Sequence, residues 1–475
     1  MGADGFRGSA APRWARPGLA APPPDWQLAG EAASGIALRA PHLSARQTLT
    51  AIQGRALVRL AAMAGLVGLA APGLLLAGLL AAAMLFFLAV MAFRLVLLAV
   101  ALWPSSARPP QDGVSVLLPG YTILIAMKDE AACVPQLART VSAFDYPEDM
   151  LDIKLLIETG DEATRTAILS QDWPARTELL ILPPGEPQTK PRALNYGLAR
   201  ATGAYVVVYD AEDRPHPGQL RTAAEAFAHA APELACLQAP LVGMPAKGGW
   251  LARQWAQEYA IQFGLILPAL ARLGLPVALG GTSNHFRRDA LVASGGWDAW
   301  NVTEDADLGL RLARLGRRVG VLRSPTFEAP PEDAAVWLGQ RSRWLKGFVQ
   351  TWLVLMRDPA GVLRSLRPAG FASVQLTLGA AIVSALVHGP WALWCLACFV
   401  SPSLHLGIAG QAGFCLSLAT GALSAMLAPG PWRWRRLADI ATMPLYWPLQ
   451  TLAMARALWS LARRPHYWVK TPHEV

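Results

Sequence analysis

Charge is scarce in this chain. Of 475 residues only 16% are Asp, Glu, Lys or Arg, against 53% hydrophobic, and the mean hydropathy is +0.30. Such a composition excludes both a disordered chain and an ordinary soluble one. Cysteine is also sparse: Cys133, Cys236, Cys395, Cys398 and Cys415 are scattered, so no disulfide framework is implied. Cys395 and Cys398 have redox spacing but lie among Trp, Leu, Ala and Phe, where thiols act as small packing residues. Aromatics make up 8%, without interleaving with basic residues in the polar middle of the chain. That absence argues against nucleic acid as partner, despite a formal charge of +9. The basic excess sits in the first residues and beside apolar runs, as at a membrane face.

What is present falls into five stretches. Residues 1–50 are rich in Ala, Pro and Arg without sustained periodicity, and read as a flexible arm. They do not read as a signal peptide, because the apolar run that follows starts too late and runs too long. Between 54 and 104 the chain is almost continuously apolar, about twice what one crossing requires. Ala71-Pro72-Gly73 supplies a turn near its middle, so a transmembrane hairpin is expected. Arg46, Arg55 and Arg59 before it and Arg108 after it put both ends in the cytoplasm. Residues 115–355 alternate short β-rich runs (121–126, 153–157, 179–182, 205–209) with helical ones (131–143, 163–169, 192–200). Alternation of this kind predicts βαβ units in a mostly parallel sheet, with ligands beyond the carboxyl ends of the strands. Residues 370–428 hold two further apolar spans. The stretch 436–475 has basic residues on both sides of its apolar part and reads as an interfacial or re-entrant helix with a basic tail. The count is four spans or five.

The chemistry-bearing residues cluster in the polar middle. Asp210-Ala211-Glu212-Asp213 follows the apolar strand 205–209. Carboxylates at a buried strand end suit Mg²⁺ or Mn²⁺, which keep open positions for substrate phosphates. Either Glu212 or Asp213 can act beside Asp210. Thr303-Glu304-Asp305 opens a helical run, so a helix cap with first-turn acids and a catalytic base are both compatible with it. In Gln340-Arg341-Ser342-Arg343-Trp344, helical spacing puts Gln340 and Trp344 on one face with Arg343 beside them.

These motifs, in this order and between apolar regions, resemble the processive family-2 glycosyltransferases, the membrane synthases that include cellulose, chitin and hyaluronan synthases. The resemblance runs from about residue 119 onward. It implies an α/β GT-A-type (Rossmann-like) catalytic domain in the cytoplasm combined with an all-α transmembrane region, in the inner membrane. By the same resemblance, Asp161, or else Glu158, contacts the uracil or ribose, and Lys190 lies near the phosphates. Asp210 and Glu212 or Asp213 bind the metal. Asp305 is the general base with Glu304 beside it, Gln340 and Arg343 hold the diphosphate, and Trp344 stacks on the acceptor. Gly281, Thr282 and Ser283 form the acceptor-side loop. The implied reaction is single displacement from a UDP-sugar (UDP-glucose or UDP-N-acetylglucosamine) that builds a β-linked polysaccharide.

Two departures qualify the match. The metal motif is D-A-E-D, and nothing after Gln340–Trp344 matches the gating loop of cellulose synthase, so processivity does not carry over. A cyclic-di-GMP-binding domain is not expected after the last apolar segment. The expected partners are the UDP-sugar, a growing glycan or lipid acceptor, membrane lipid and secretion subunits. Two other readings stand beside polymerisation: transfer of one sugar to a lipid, and an inactive sugar-nucleotide-binding membrane subunit.

Overall fold

The computed structural model describes residues 25–104, 117–244, 249–401, 407–430 and 434–467. Arg108, Arg433, Lys470 and the first 24 residues of the arm lie outside these. The remainder of the arm corrects the sequence reading. Helix α1 (Asp25–Arg39) buries Leu28, Ala29 and Ala32 against the α/β domain, while Ile36 packs on Ala40 and Leu43 that follow it. Its Ala32 carbonyl accepts from Asn195 Nδ2 at 3.1 Å. Small apolar residues hidden in a low-complexity background find a partner face that no local pattern reveals.

Next come α2 (Ala51–Ala70) and α3 (Pro72–Leu102), joined at Ala71. Thr50 and Gln53 form a reciprocal capping box that starts α2, and Pro72 sits at the first position of α3, where its missing N–H costs nothing. Their side chains are almost wholly exposed, as expected for lipid-facing helices.

The α/β domain is built on a seven-stranded sheet. In chain order its elements are β1 (Tyr121–Met127), α4 (Val134–Ser142), β2 (Leu151–Glu158), α5 (Glu162–Leu169), β3 (Thr177–Leu182), α6 (Lys190–Leu198), β4 (Tyr205–Tyr209), β5 (Arg214–Pro215), α7 (Gln219–Ala228), β6 (Leu234–Gln238) and β7 (Leu241–Gly243). They continue with α8 (Trp250–Ile261), α9 (Leu267–Arg272), β8 (Asn284–Arg287), α10 (Arg288–Ala293), α11 (Glu304–Arg314), β9 (Arg318–Val321), β10 (Thr326–Glu328) and α12 (Ala334–Leu355). The sheet order is β3-β2-β1-β4-β8-β6-β9. The first four strands are mutually parallel, and β8 runs antiparallel to β4 and β6, so the sheet is mixed. A small second sheet orders β5-β10-β7.

Period-two alternation sends the strand side chains to two cores. Leu124, Leu156, Val206 and Val208 face one, shared with α6 and the aromatic helix α8. Ile123, Ile125, Ile153, Leu155 and Val207 face the other, under α4 and α7. Both faces are covered, which is why β1 and β4 read as nearly continuous apolar runs, while β2 carries Asp152 and Lys154, paired with each other at 2.8 Å.

After α12 the chain continues through α13 (Pro359–Val374) and α14 (Ala380–Val400), broken at Arg367 (φ 60°), the residue before Pro368. It ends with α15 (Ile408–Leu427), α16 (Trp434–Tyr446) and α17 (Leu449–Arg463). Among the described residues, four helical stretches are long and apolar enough to cross a membrane: Ala51–Ala70, Pro72–Leu102, Pro359–Val400 and Ile408–Leu427. Helices α16 and α17 are not among them. Ala453, Met454 and Ala457 of α17 instead pack on Leu345 and Val349 of α12.

Candidate active site

The carboxyl ends of β1, β2 and β4 open into a cavity of about 600 Å³. Asp210 and Glu212, just beyond β4, both line it. Asp213 does not. It is 1% exposed, and its Oδ2 accepts from the Asp210 amide at 3.1 Å and from the Thr282 hydroxyl. Asp213 therefore closes the turn that aims its two neighbours. Burial, then the Asp210, Glu328 and Glu212 charges, push its carboxyl well above the usual range. Thr282 (1% exposed) and Ser283 (0%) lie beneath the cavity and not on its wall. Ser283, at φ 56°, shares a 2.6 Å hydrogen bond with Thr326. Only Gly281 of the expected acceptor-side loop, with Gly280 before it, reaches the cavity.

Lys190 opens α6 and donates to Asp210 and, at 2.7 Å, to the Gly281 carbonyl. Burial opposes its charge, yet the Asp210, Glu304 and Asp213 carboxylates hold the ammonium above its ordinary pKa. Across the cavity, α11 begins with Glu304 and Asp305. Thr303 occupies the N-cap position with the acids in the first turn, as the cap reading expects, but its side chain caps no helix amide. Asp305 Oδ1 accepts from the Ala306 amide at 2.8 Å. Burial first, and the neighbouring carboxyl second, raise Glu304 to about 7, whereas burial raises Asp305 to about 6. Asp307 faces inward instead, paired with Arg311 at 2.7 Å.

Helix α12 forms the third wall, and Gln340, Arg343 and Trp344 all line the cavity. Trp255 Nε1 donates to Gln340 Oε1 at 3.0 Å, so the amide nitrogen remains as a donor for a ligand. Burial lowers the Arg343 pKa, and the charges that oppose this are those of Glu304, Asp210, Asp305 and Glu212. Arg341 also reaches the cavity wall, where it is held in a paired contact with Glu258, 2.7 Å at its Nη1, with its guanidinium 4.6 Å from the Trp344 ring centroid.

At the β2 end, Glu158 lines the cavity and Asp161 does not. Asp161 spends one oxygen on the Asp129 amide (2.6 Å) and the other capping α5 at Thr164 (3.2 Å). It is a structural cap, while Glu158 is held against Arg192 at 3.0 Å. Sequence reasoning missed Glu258, Tyr259 and Glu328 on the cavity wall. Trp255, Tyr259 and Phe263, spaced four apart, with the first two rings stacked and the third tilted against Tyr259, carry a periodic signal that marks the wall. Glu328, which burial and the Asp210 and Glu212 charges raise to about 8, carries none.

The same cavity extends between the apolar helices. There it meets Ser384 and His388 of α14, Ser417 and Thr420 of α15, and Trp447 and Gln450. His388 lies between the Phe87 ring at 6.5 Å and the Trp447 ring at 5.6 Å, both near-parallel.

Among the described residues, no group of three His, Cys, Asp or Glu side chains stands ready to hold a metal alone. Two hard carboxylates, Asp210 and Glu212, nonetheless fit an ion that takes its other ligands from substrate phosphate and water.

A family model described as glycosyl transferase family group 2 matches residues 205–455, more than half of the chain. A beta-monoglucosyldiacylglycerol synthase of Synechocystis is 28% identical over 302 residues, 61% of this chain and 61% of that protein. A poly-beta-1,6-N-acetyl-D-glucosamine synthase of Staphylococcus aureus is 26% identical over 258 residues, 53% of this chain and 59% of that protein. The matches thus span about three fifths of these relatives. A mannosyltransferase from Pyrobaculum calidifontis, solved with GDP-Man and Mn²⁺, superposes with a TM-score of 0.54 at 20% identity, over 80% of this chain and 98% of that one. That likeness establishes the GT-A fold.

Proposed function

Because the chain belongs to glycosyl transferase family group 2, we propose that it is a multi-pass inner-membrane enzyme that builds a β-linked glycan from a UDP-sugar on the cytoplasmic side. One observation carries this reading. The cavity holding Asp210, Glu212, Asp305 and Arg343 runs on to polar and stacked aromatic side chains of apolar helices. Polar side chains inside membrane segments mark a substrate path, and flat rings suit the faces of sugars.

In this reading the UDP diphosphate lies against Lys190, Arg343 and the Gln340 amide, and Glu158 rather than Asp161 faces the nucleoside. Asp210 and Glu212 are the pair that would hold a Mg²⁺ or Mn²⁺, whose charge offsets that of the departing diphosphate. Trp344 supports the acceptor sugar. Asp305 takes the proton from its hydroxyl as the oxygen attacks the anomeric carbon opposite UDP. Being the less basic of the adjacent pair, Asp305 is ionised first and is ready to accept a proton near neutral pH. A positioned base contributes about 10²–10⁴-fold. One displacement inverts the centre, so an α-linked donor yields a β-linked product.

A second acceptor class has its own support. Phe87, Val90, Met91 and Leu97 of α3 form an apolar flank of the cavity, suited to acyl chains, and one relative is named for a glucosylated diacylglycerol. Incubating the purified full chain with UDP-glucose or UDP-N-acetylglucosamine and lipid separates the two. Products longer than two sugars support polymerisation, and a single-sugar glycolipid replaces it with the lipid reading. Absence of UDP release with every UDP-sugar, in the presence of Mg²⁺ and Mn²⁺, would sink both.

A further inference from the structure

The loop of residues 298–303 leads directly into Asp305, and two segments distant in sequence grip it. On one side lies the segment after α1. Ser44 Oγ donates to Asp298 Oδ1 at 2.9 Å, the Ala45 amide donates to Asp298 Oδ2 at 2.6 Å, and the Arg46 guanidinium lies 5.2 Å from the Trp300 ring centroid. On the other lies the segment after α17, residues 464–467. Its His466 ring sits between two carbonyls, Trp300 at 3.0 Å from Nδ1 and Arg46 at 3.1 Å from Nε2, and packs edge-on against the Trp300 ring at 4.9 Å. A neutral imidazole carries one N–H and donates to one of these carbonyls at a time, while its ring stays wedged between both segments and the loop.

Helix α12 ties this assembly to the site. Lys346 donates to the Arg464 carbonyl at 2.8 Å, the Tyr467 carbonyl at 2.9 Å and Ser460 Oγ at 3.2 Å. One turn on, Gln350 is shared: its Nε2 donates to the Pro465 carbonyl at 3.0 Å, and its Oε1 accepts from the Val302 amide at 3.3 Å. Thr351 accepts from Asn301 at 2.9 Å, and Asn301 Oδ1 in turn accepts the Thr303 amide at 3.0 Å. Lys346 and Gln350 are 3% and 0% exposed, so water cannot substitute for a lost partner. The helix that carries Gln340, Arg343 and Trp344 thus also holds, through a strap, the loop that sets Asp305.

We propose that residues 464–467 act as a positioning strap for transfer, with His466 and Gln350 as positioning residues that fix the Thr303–Asp305 turn relative to α12. The proposal rests on Asp305 as the base. Neither residue touches the cavity, so the strap governs the geometry of proton removal and not donor affinity. A displacement of about 1 Å at a reacting group costs on the order of 10²-fold.

The test uses the full chain in lipid nanodiscs, reading UDP release and UDP binding separately. His466→Ala is expected to lower kcat about tenfold to a hundredfold with the Kd for UDP within about twofold, and His466→Asn, which keeps one donor, to recover part of it. Gln350→Glu keeps the acceptor for Val302 but sets a carboxylate oxygen against the Pro465 carbonyl. It should show the same split and decides the matter if His466→Ala does not fold. Wild-type kcat in whichever of these variants folds overturns the strap, as does UDP affinity falling in step with kcat. Asp305→Asn, run in parallel, judges the base by itself: near-wild-type turnover there overturns that assignment, whatever the strap variants show.

Discussion

Asp305 and Glu304 are neighbours in one buried turn, yet burial leaves them at about 6 and about 7. A base must be deprotonated to work. Because the Asp305 carboxyl is raised above its ordinary range, its working form is lost as pH falls through about 6, well before an exposed aspartate would protonate. The expected profile of kcat is flat near pH 7.5 and falls about tenfold per unit below about 6. A profile flat down to pH 4.5 contradicts the role. The Asp210–Asp213 run supplies a second residue-scale contrast. Glu212 lines the cavity, whereas Asp213 is an internal hydrogen-bond acceptor. Asp213→Asn preserves size and the acceptor oxygen, so it should cost less than about tenfold in rate. Glu212→Gln removes a charged ligand and should cost at least about 10²-fold, with a raised requirement for divalent cation. The reverse ranking, read from Mg²⁺ titrations of the two variants, would show that Asp213 is the ligand. The sequence left these two carboxylates equivalent, because a β-turn's side-chain directions depend on Thr282, 69 residues away.

At the scale of elements, the closeness of α11 and α12 defines the site. Gly347 makes that approach possible: a Cβ there would meet the Thr303 side chain at 2.3 Å. Gly347→Ala must push Thr303 aside or tilt α12, an overpacking strain of about 1–3 kcal/mol. The variant should fold with a lowered Tm and lose more kcat than UDP affinity, because the strain lands on the turn before Asp305. Equal Tm and turnover to wild type would show that the two helices slide freely. The existence of both helices was legible in the periodicity of their apolar residues, and β1 to β4 were legible as apolar runs. The antiparallel insertion of β8 between β4 and β6 was not. Asn284–Arg287 is too short and too polar to stand out, and it forms a strand because two neighbours supply its hydrogen bonds. Helix α1 escaped notice for the same reason, since its stability comes from a docked face and not from propensity.

For the molecule as a whole, the proposed arrangement puts the catalytic domain and the segment after α14 on opposite sides of a membrane. With Cys395, Cys398 and Cys415 replaced by Ser, a membrane-impermeant thiol reagent added to intact spheroplasts should label Ser401→Cys. Arg318→Cys, exposed on the α/β domain, should be labelled only after the membrane is opened; labelling of Arg318→Cys in intact spheroplasts would invert the topology. Local chemistry determined by itself that this chain is apolar enough for membranes and that an α/β domain lies between its apolar regions, and the order of its motifs singled out Asp210, Glu304, Asp305, Gln340, Arg343 and Trp344 as candidates for the proposed site. Those features reside in hydropathy, period and residue type, which need no partner to be expressed. Only the tertiary structure decided that Glu158 faces the cavity while Asp161 caps a helix, that Asp213, Thr282 and Ser283 lie beneath the cavity, and that residues 464–467 reach back to the catalytic loop. Each of these depends on which face of a short segment meets a partner 30 to 170 positions away in the chain, and burial against such partners, not local composition, sets where a carboxylate points and how it titrates.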